Sequence, residues 1–183
     1  MSDTVTTPAA AFRYDRLTIA LHWFTAAVVA AQWVIGQAVQ FFPRGPQQDD
    51  ARSVHIVIGL GLAGLLLLRV LWSKTPWARQ PQRRGLGDLA ARGLQVLLVV
   101  LLVATVLLGL LNAAVQGGSV FDWVTLPPLG GGSKDLRHFV GELHEWGANL
   151  ILALVGLHAA AALAHHYVLR DDVLRRILPG RRR

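Results

Sequence analysis

Four long stretches of the chain contain no acidic or basic side chain. They cover residues 17–42, 53–68, 93–121 and 146–169. A helix that crosses a membrane needs about 20 mainly apolar residues, and three of the stretches reach that length unaided. The second reaches it if the side chain of Arg69 extends towards the aqueous interface. The pattern therefore predicts four transmembrane helices, at approximately 14–42, 53–73, 89–115 and 142–169.

The predicted fold class is an all-α membrane protein, a four-transmembrane-helix bundle in which residues 1–183 form a single domain. The segments between the predicted helices are too short to hold a soluble domain. Residues 1–13 are polar and small, which predicts a disordered tail. The first apolar stretch is too long for the core of a signal peptide, and no Ala-x-Ala-like cleavage site stands out after it.

Basic side chains are distributed unequally between the two sides of the predicted bundle. The formal net charge is +7, and fourteen of the eighteen Lys and Arg residues fall in the two terminal tails and the second connection. This asymmetry predicts that both termini face the cytoplasm, and it attributes the basic surplus to topology and anionic lipid instead of nucleic acid. The remaining four lie on the outer side: Arg44, Arg52, Lys134 and Arg137.

The predicted helices also contain histidines, which are costly inside a membrane unless they face a partner or a cofactor. His144 and His158 lie fourteen positions apart on helix 4, a rise of roughly 21 Å with the side chains within about 40° of each other. His55 on helix 2 matches the outer depth of His144. His22 on helix 1 matches His158 more loosely, so helix 4 must protrude or tilt for that pair to meet.

Two histidines per depth suit haem better than zinc, which usually takes four ligands. Haem takes two axial ligands, and four-helix bundles build such sites from facing helices. The chain has no cysteine, which excludes disulfides, iron–sulfur clusters and thioether-linked haem. Gly36 lies fourteen positions after His22, so it either lets a flat cofactor approach the backbone or packs against a neighbouring helix.

Three histidines lie outside this pattern. His138 precedes helix 4 in the second outer loop, which connects helices 3 and 4, and a solvated side chain is expected there. His165 and His166 end helix 4 beside Tyr167, and two readings stay open for them. They are either interfacial anchors, or one of them, most simply His165, contacts a quinone head group as a hydrogen-bond partner or proton donor.

Several segments resemble the bacterial cytochrome b561 family, and the resemblance runs from end to end with its weakest part in the second outer loop. They are residues 14–23 (YDRLTIALHW), 41–44 (FFPR), 156–167 (GLHAAAALAHHY) and 172–179. The resemblance implies a di-haem membrane cytochrome in the bacterial inner membrane with two non-covalent b haems. The implied axial ligands are His22 and His158 for the inner haem, and His55 and His144 for the outer haem.

Some members of that family are superoxide oxidases, so the resemblance implies an oxidoreductase that takes electrons from superoxide or another periplasmic donor and reduces ubiquinone. Two alternatives remain open. One is a membrane anchor that relays electrons between a partner redox protein and the quinone pool. The other is a haem-free transporter or scaffold with histidines in its interior, which an absorption spectrum would distinguish.

Overall fold

The computed structural model describes residues 12–78 and 86–180. These residues contain four long helices, each long and apolar enough to cross a membrane, which confirms the predicted four-helix all-α fold. A short 3₁₀ turn, Val39–Phe41, continues the first helix. The helices are α1 (Arg16–Ala38), α2 (Pro46–Ser73), α3 (Leu86–Gln116) and α4 (Lys134–Tyr167).

Helices α2 and α4 begin well before the predicted residues 53 and 142. Their first turns are determined by local capping residues and not by the ends of the uncharged stretches. Pro46 occupies the start of α2 after Gly45, whose φ of 126° is open to glycine alone. At α4 the Ser133 side chain accepts a hydrogen bond from the Leu136 amide at 3.4 Å, and Asp135 lies in the first turn. Both helices therefore extend beyond their apolar stretches.

The apolar side chains of the bundle point mainly outwards. A small core cluster is formed by Leu21, Leu62, Leu65 and Leu66. Large side chains such as Leu67, Val100 and Leu107 are more than half exposed on the helix surfaces. An exposed apolar surface on every long helix is what lipid contact requires, so the polar residues of the spans are left to face the interior.

The second outer loop contains a short antiparallel hairpin of β1 (Gly118–Val120) and β2 (Val124–Leu126). Phe121, Asp122 and Trp123 form its three-residue loop, and the φ angles of Phe121 and Asp122 are 51° and 57°. The Phe121 amide donates to the hydroxyl of Ser53 at 3.1 Å, and Ser53 is only 1% exposed. This bond ties the hairpin to the outer end of α2.

The segment after α4 folds back onto the start of α1. The Trp23 indole donates to the Ile177 carbonyl at 2.9 Å, and the Tyr14 amide donates to the Arg176 carbonyl at 3.3 Å. Arg13, at the end of the predicted tail 1–13, donates to the Leu178 carbonyl at 2.6 Å. Residues 1–11 of that tail lie outside the described residues. Both described ends of the chain therefore lie on the same side of the bundle.

Candidate functional site

The two histidine pairs expected from depth are adjacent in the structure. The ring centroids of His55 and His144 are 6.1 Å apart, and those of His22 and His158 are 6.3 Å apart. Bonds from imidazole nitrogen to metal are roughly 2 Å long, so two imidazoles on opposite sides of one metal ion have centroids about 6 Å apart. Both pairs fit that spacing, while their role as ligands stays a prediction.

Neither pair belongs to a group that would hold a bare metal ion. Within 12–78 and 86–180, no three His, Asp or Glu side chains are grouped for metal binding. A protein site for a bare ion usually needs three or four such ligands. Two opposed imidazoles instead suit a metal whose other ligands come with it, as the equatorial nitrogens of haem do.

A cavity of about 520 Å³ lies between the four helices at the outer pair. His55 and His144 both line it, which places the two imidazoles inside a space of the size that cofactors occupy. Arg52 lines the same cavity, together with Asn112 and Glu145. The space therefore carries two imidazoles, apolar walls and a few charged or amide groups.

The outer histidines each lie against a glycine of a neighbouring helix. A Cβ atom on Gly36 of α1 would come within 3.1 Å of Cε1 of His55. One on Gly109 of α3 would come within 2.8 Å of Cε1 of His144. The close approach at Gly36 is thus made by an imidazole ring of the neighbouring helix α2, in agreement with the helix-packing role. Gly109 was not identified from the sequence at all.

The main chain of α3 sets the proton position on His144. Nδ1 of His144 lies 3.0 Å from the Thr105 carbonyl oxygen. A carbonyl only accepts, so Nδ1 carries the hydrogen and the lone pair is on Nε2, the form in which imidazole binds a metal. Thr105 precedes Gly109 by one helical turn, so the missing side chain at Gly109 is what opens this carbonyl to the ring. Helix α3, which contains no histidine, supplies this support.

His55 is supported differently. Its Nδ1 is buried and has no hydrogen-bond partner among the described residues. The amide of Gln32, a residue only 9% exposed, donates to the His55 carbonyl at 2.9 Å, while its own oxygen is buried without a partner. Buried polar atoms are normally paired, so unpaired ones around a cavity are typical of a site that a ligand completes.

The inner pair has a cation beside it. Nη2 of Arg69 lies 3.4 Å from Nδ1 of His22, and the Arg69 side chain is half-buried. Its guanidinium turns to a histidine of α1, and its extension towards the aqueous interface stays a prediction. The inner pair therefore has a charged side chain in contact with one of its two imidazoles.

The other histidines lie apart from both pairs. His138 is 77% exposed and lies 3.4 Å from Glu142, in agreement with a solvated side chain, but it lies on the first turns of α4 and not in the predicted loop. Nδ1 of His165 donates to the Asp171 carboxylate at 2.6 Å. That bond, helped by one from the Val173 amide, holds the pKa of Asp171 below its ordinary value. His166 packs against Tyr167 with its Nδ1 buried and unpaired among the described residues.

Comparison with known proteins gives a consistent result. The sequence model of a family described as prokaryotic cytochrome b561 matches residues 13–180. Cytochrome b561 homolog 2 of Escherichia coli is 32% identical over 171 residues, covering 91% of each chain. Probable superoxide oxidase CybB of Yersinia pestis is 29% identical over 178 residues, covering 93% of this chain and 98% of that one. Cytochrome b562 of Cereibacter sphaeroides is 30% identical over 173 residues, covering 92% and 96%.

Proposed function

This chain belongs to the prokaryotic cytochrome b561 family, and on that premise we propose that it carries electrons from superoxide on the periplasmic side to ubiquinone through two non-covalent b haems. Electron transfer in the membrane with haem b is the function of the family. The observation that supports a two-haem path is that the four histidines form two pairs with ring centroids 6.1 and 6.3 Å apart, and that α4 contributes one histidine to each pair.

In this proposal His55 and His144 hold the outer haem, and His22 and His158 hold the inner haem. When bound, haem would supply a reversible one-electron change at its iron, and the two imidazoles of each pair would hold it. The chain's own residues fix the geometry. The Thr105 carbonyl orients the ring of His144.

The proposed substrate is superoxide, supported by the relative named as a probable superoxide oxidase. Each superoxide gives up one electron and leaves as oxygen. Ubiquinone takes up two electrons and two protons to become ubiquinol, so two superoxide ions are consumed for each quinol formed. We assign His165 as the quinone contact, because the Asp171 carboxylate holds its Nδ1–H and leaves Nε2 to accept a proton and pass it on.

The proposed orientation in the bacterial inner membrane places both termini in the cytoplasm. It rests on the basic asymmetry of the sequence, and it agrees with the two described chain ends lying on one side of the bundle. We expect a green fluorescent protein fused after Arg183 to fluoresce and an alkaline phosphatase fused there to be inactive. An active phosphatase would reverse the orientation and exchange the two haem sides.

The approach of superoxide should depend on local positive charge. Arg137 lines a second cavity, of about 420 Å³, which shares Gln116 and Glu145 with the outer cavity. Lys134 is exposed at the first residue of α4. The Debye length is about 8 Å at physiological ionic strength, so the local charges decide the approach: Arg137 and Lys134 favour an anion, and Glu142 and Glu145, which line the second cavity, oppose it.

We expect the double variant Lys134→Gln, Arg137→Gln to slow stopped-flow reduction of the haem by superoxide several-fold, and added salt to slow the wild type. Lys74→Gln is the matched control, because it removes one positive charge but lies at the end of α2 that is far from His55. Reduction by a neutral quinol should be unaffected by either change. If the rate of haem reduction by superoxide changes neither with salt nor in the double variant, local steering is excluded. If superoxide reduces no haem at all, the substrate is wrong and the chain is a relay for a partner redox protein.

A further inference from the structure

Arg69 is a cation inside a membrane span. It lies on α2 within Pro46–Ser73, its side chain is half-buried, and its recorded polar partner is Nδ1 of His22. Among the described residues, Arg69 forms no ion pair with an Asp or Glu side chain. A charge in the hydrocarbon region is costly without an anion or water beside it. Its position therefore calls for a negative group that the described residues do not provide.

The contact with His22 conflicts with metal binding. A guanidinium has only donors, so Nδ1 of His22 must accept from Arg69, and a neutral imidazole then keeps its hydrogen on Nε2. In that form neither nitrogen offers a free lone pair to a metal. His144 has the opposite arrangement, because its Nδ1 donates to a carbonyl. Loading of the inner site thus requires Arg69 to leave His22 and to bind something else.

The separation of 3.4 Å makes the contact between Arg69 and His22 a weak hydrogen bond, so breaking it costs little. Haem b carries two propionate carboxylates, and a guanidinium binds a carboxylate through two parallel hydrogen bonds. The same cofactor that needs a free nitrogen on His22 therefore brings an anion for Arg69. We propose that Arg69 binds a propionate carboxylate of the inner haem. This inference rests on the proposed haem-binding function.

Such a pair has a consequence for electron transfer. A fixed positive charge near the iron favours the state with one more electron, so Arg69 raises the midpoint potential of the inner haem. Arg69 also holds the inner haem through a charge-assisted bond to its propionate. This bond comes in addition to the two histidines, so it slows loss of the inner haem. Both effects belong to the inner site and should leave the outer haem unchanged, which makes the outer haem an internal control for folding.

The first test uses the purified full-length protein and three variants. Arg69→Leu removes the charge and keeps the span apolar, Arg69→Lys keeps the charge without the two-pronged geometry, and Lys74→Leu removes an exposed charge nearby. For Arg69→Leu we expect release of one haem to a haem acceptor about tenfold faster than in the wild type, and a lower midpoint potential for that haem. Arg69→Lys should lie between, and Lys74→Leu should match the wild type.

The second test addresses the carboxylate itself. Chains produced under haem limitation are loaded with haem or with haem dimethyl ester, in which both carboxylates are blocked. We expect the wild type to load the ester poorly at the inner site, and Arg69→Leu to load the two alike. A wild type that takes up both equally there overturns the proposal, even if Arg69→Leu does not fold. Unchanged retention and potential in a folded Arg69→Leu also overturn it. A wild type with no inner haem instead refutes the proposed function.

Discussion

His144→Ala is expected to yield a protein with one haem, the inner one. The variant removes one of two imidazoles whose centroids are 6.1 Å apart across the outer cavity, and it leaves His22 and His158 intact. Loss of even a supporting group around a metal ligand typically costs 10–100-fold in affinity, and loss of an axial ligand costs more. His22→Ala should have the mirror effect, with the outer haem retained.

The measurement is a haem-to-protein ratio with a reduced-minus-oxidised spectrum of each purified variant. The wild type should hold two haems and each variant about one. The absorption bands of the remaining haem should differ between His144→Ala and His22→Ala. His138→Ala is the matched control, because His138 lies on the same helix but is 77% exposed beside Glu142. A wild type with one haem or none would refute the assignment, as would a His144→Ala protein that keeps both.

The fold was predictable because a membrane imposes a strong constraint on sequence. A span must be long and nearly free of charge, so four uncharged stretches identify four helices. The helix starts were less predictable, because α2 and α4 continue into polar residues beyond the stretch. There Pro46 and Ser133 determine the first turn, and neither residue contributes to the hydrophobic signal.

The pairing of the four histidines was predictable for a related reason. Imidazole is rare and costly inside a span, so each one stands out, and helix rise converts its sequence position into depth. Their supports were not predictable. The Thr105 carbonyl has no sequence signature, because every residue carries one. Asp171 lies beyond the end of α4, and only the fold of the following turn brings it to His165.

A substitution at Gly109 should be the most informative test of how His144 is supported. A Cβ atom there would lie 2.8 Å from Cε1 of His144 and 3.2 Å from its Nδ1, closer than such atoms normally approach. The imidazole is the mobile end of its side chain and has the cavity beside it, so it can move away at little cost to the fold. It then loses the 3.0 Å hydrogen bond to the Thr105 carbonyl. Gly109→Ala should therefore fold normally and alter the outer haem.

The direction of that change follows from the hydrogen bond. A bond from Nδ1–H to a carbonyl makes the imidazole a more basic ligand, which favours oxidised iron. Its loss in Gly109→Ala should raise the midpoint potential of the outer haem and weaken its binding by about 10–100-fold, with the inner haem unchanged. Gly93→Ala, on the same helix with open space around its Cβ position, is the control. The measurement is a potentiometric titration of Gly109→Ala and Gly93→Ala. Identical potentials of the outer haem in the two variants would mean that the Thr105 carbonyl does not tune His144.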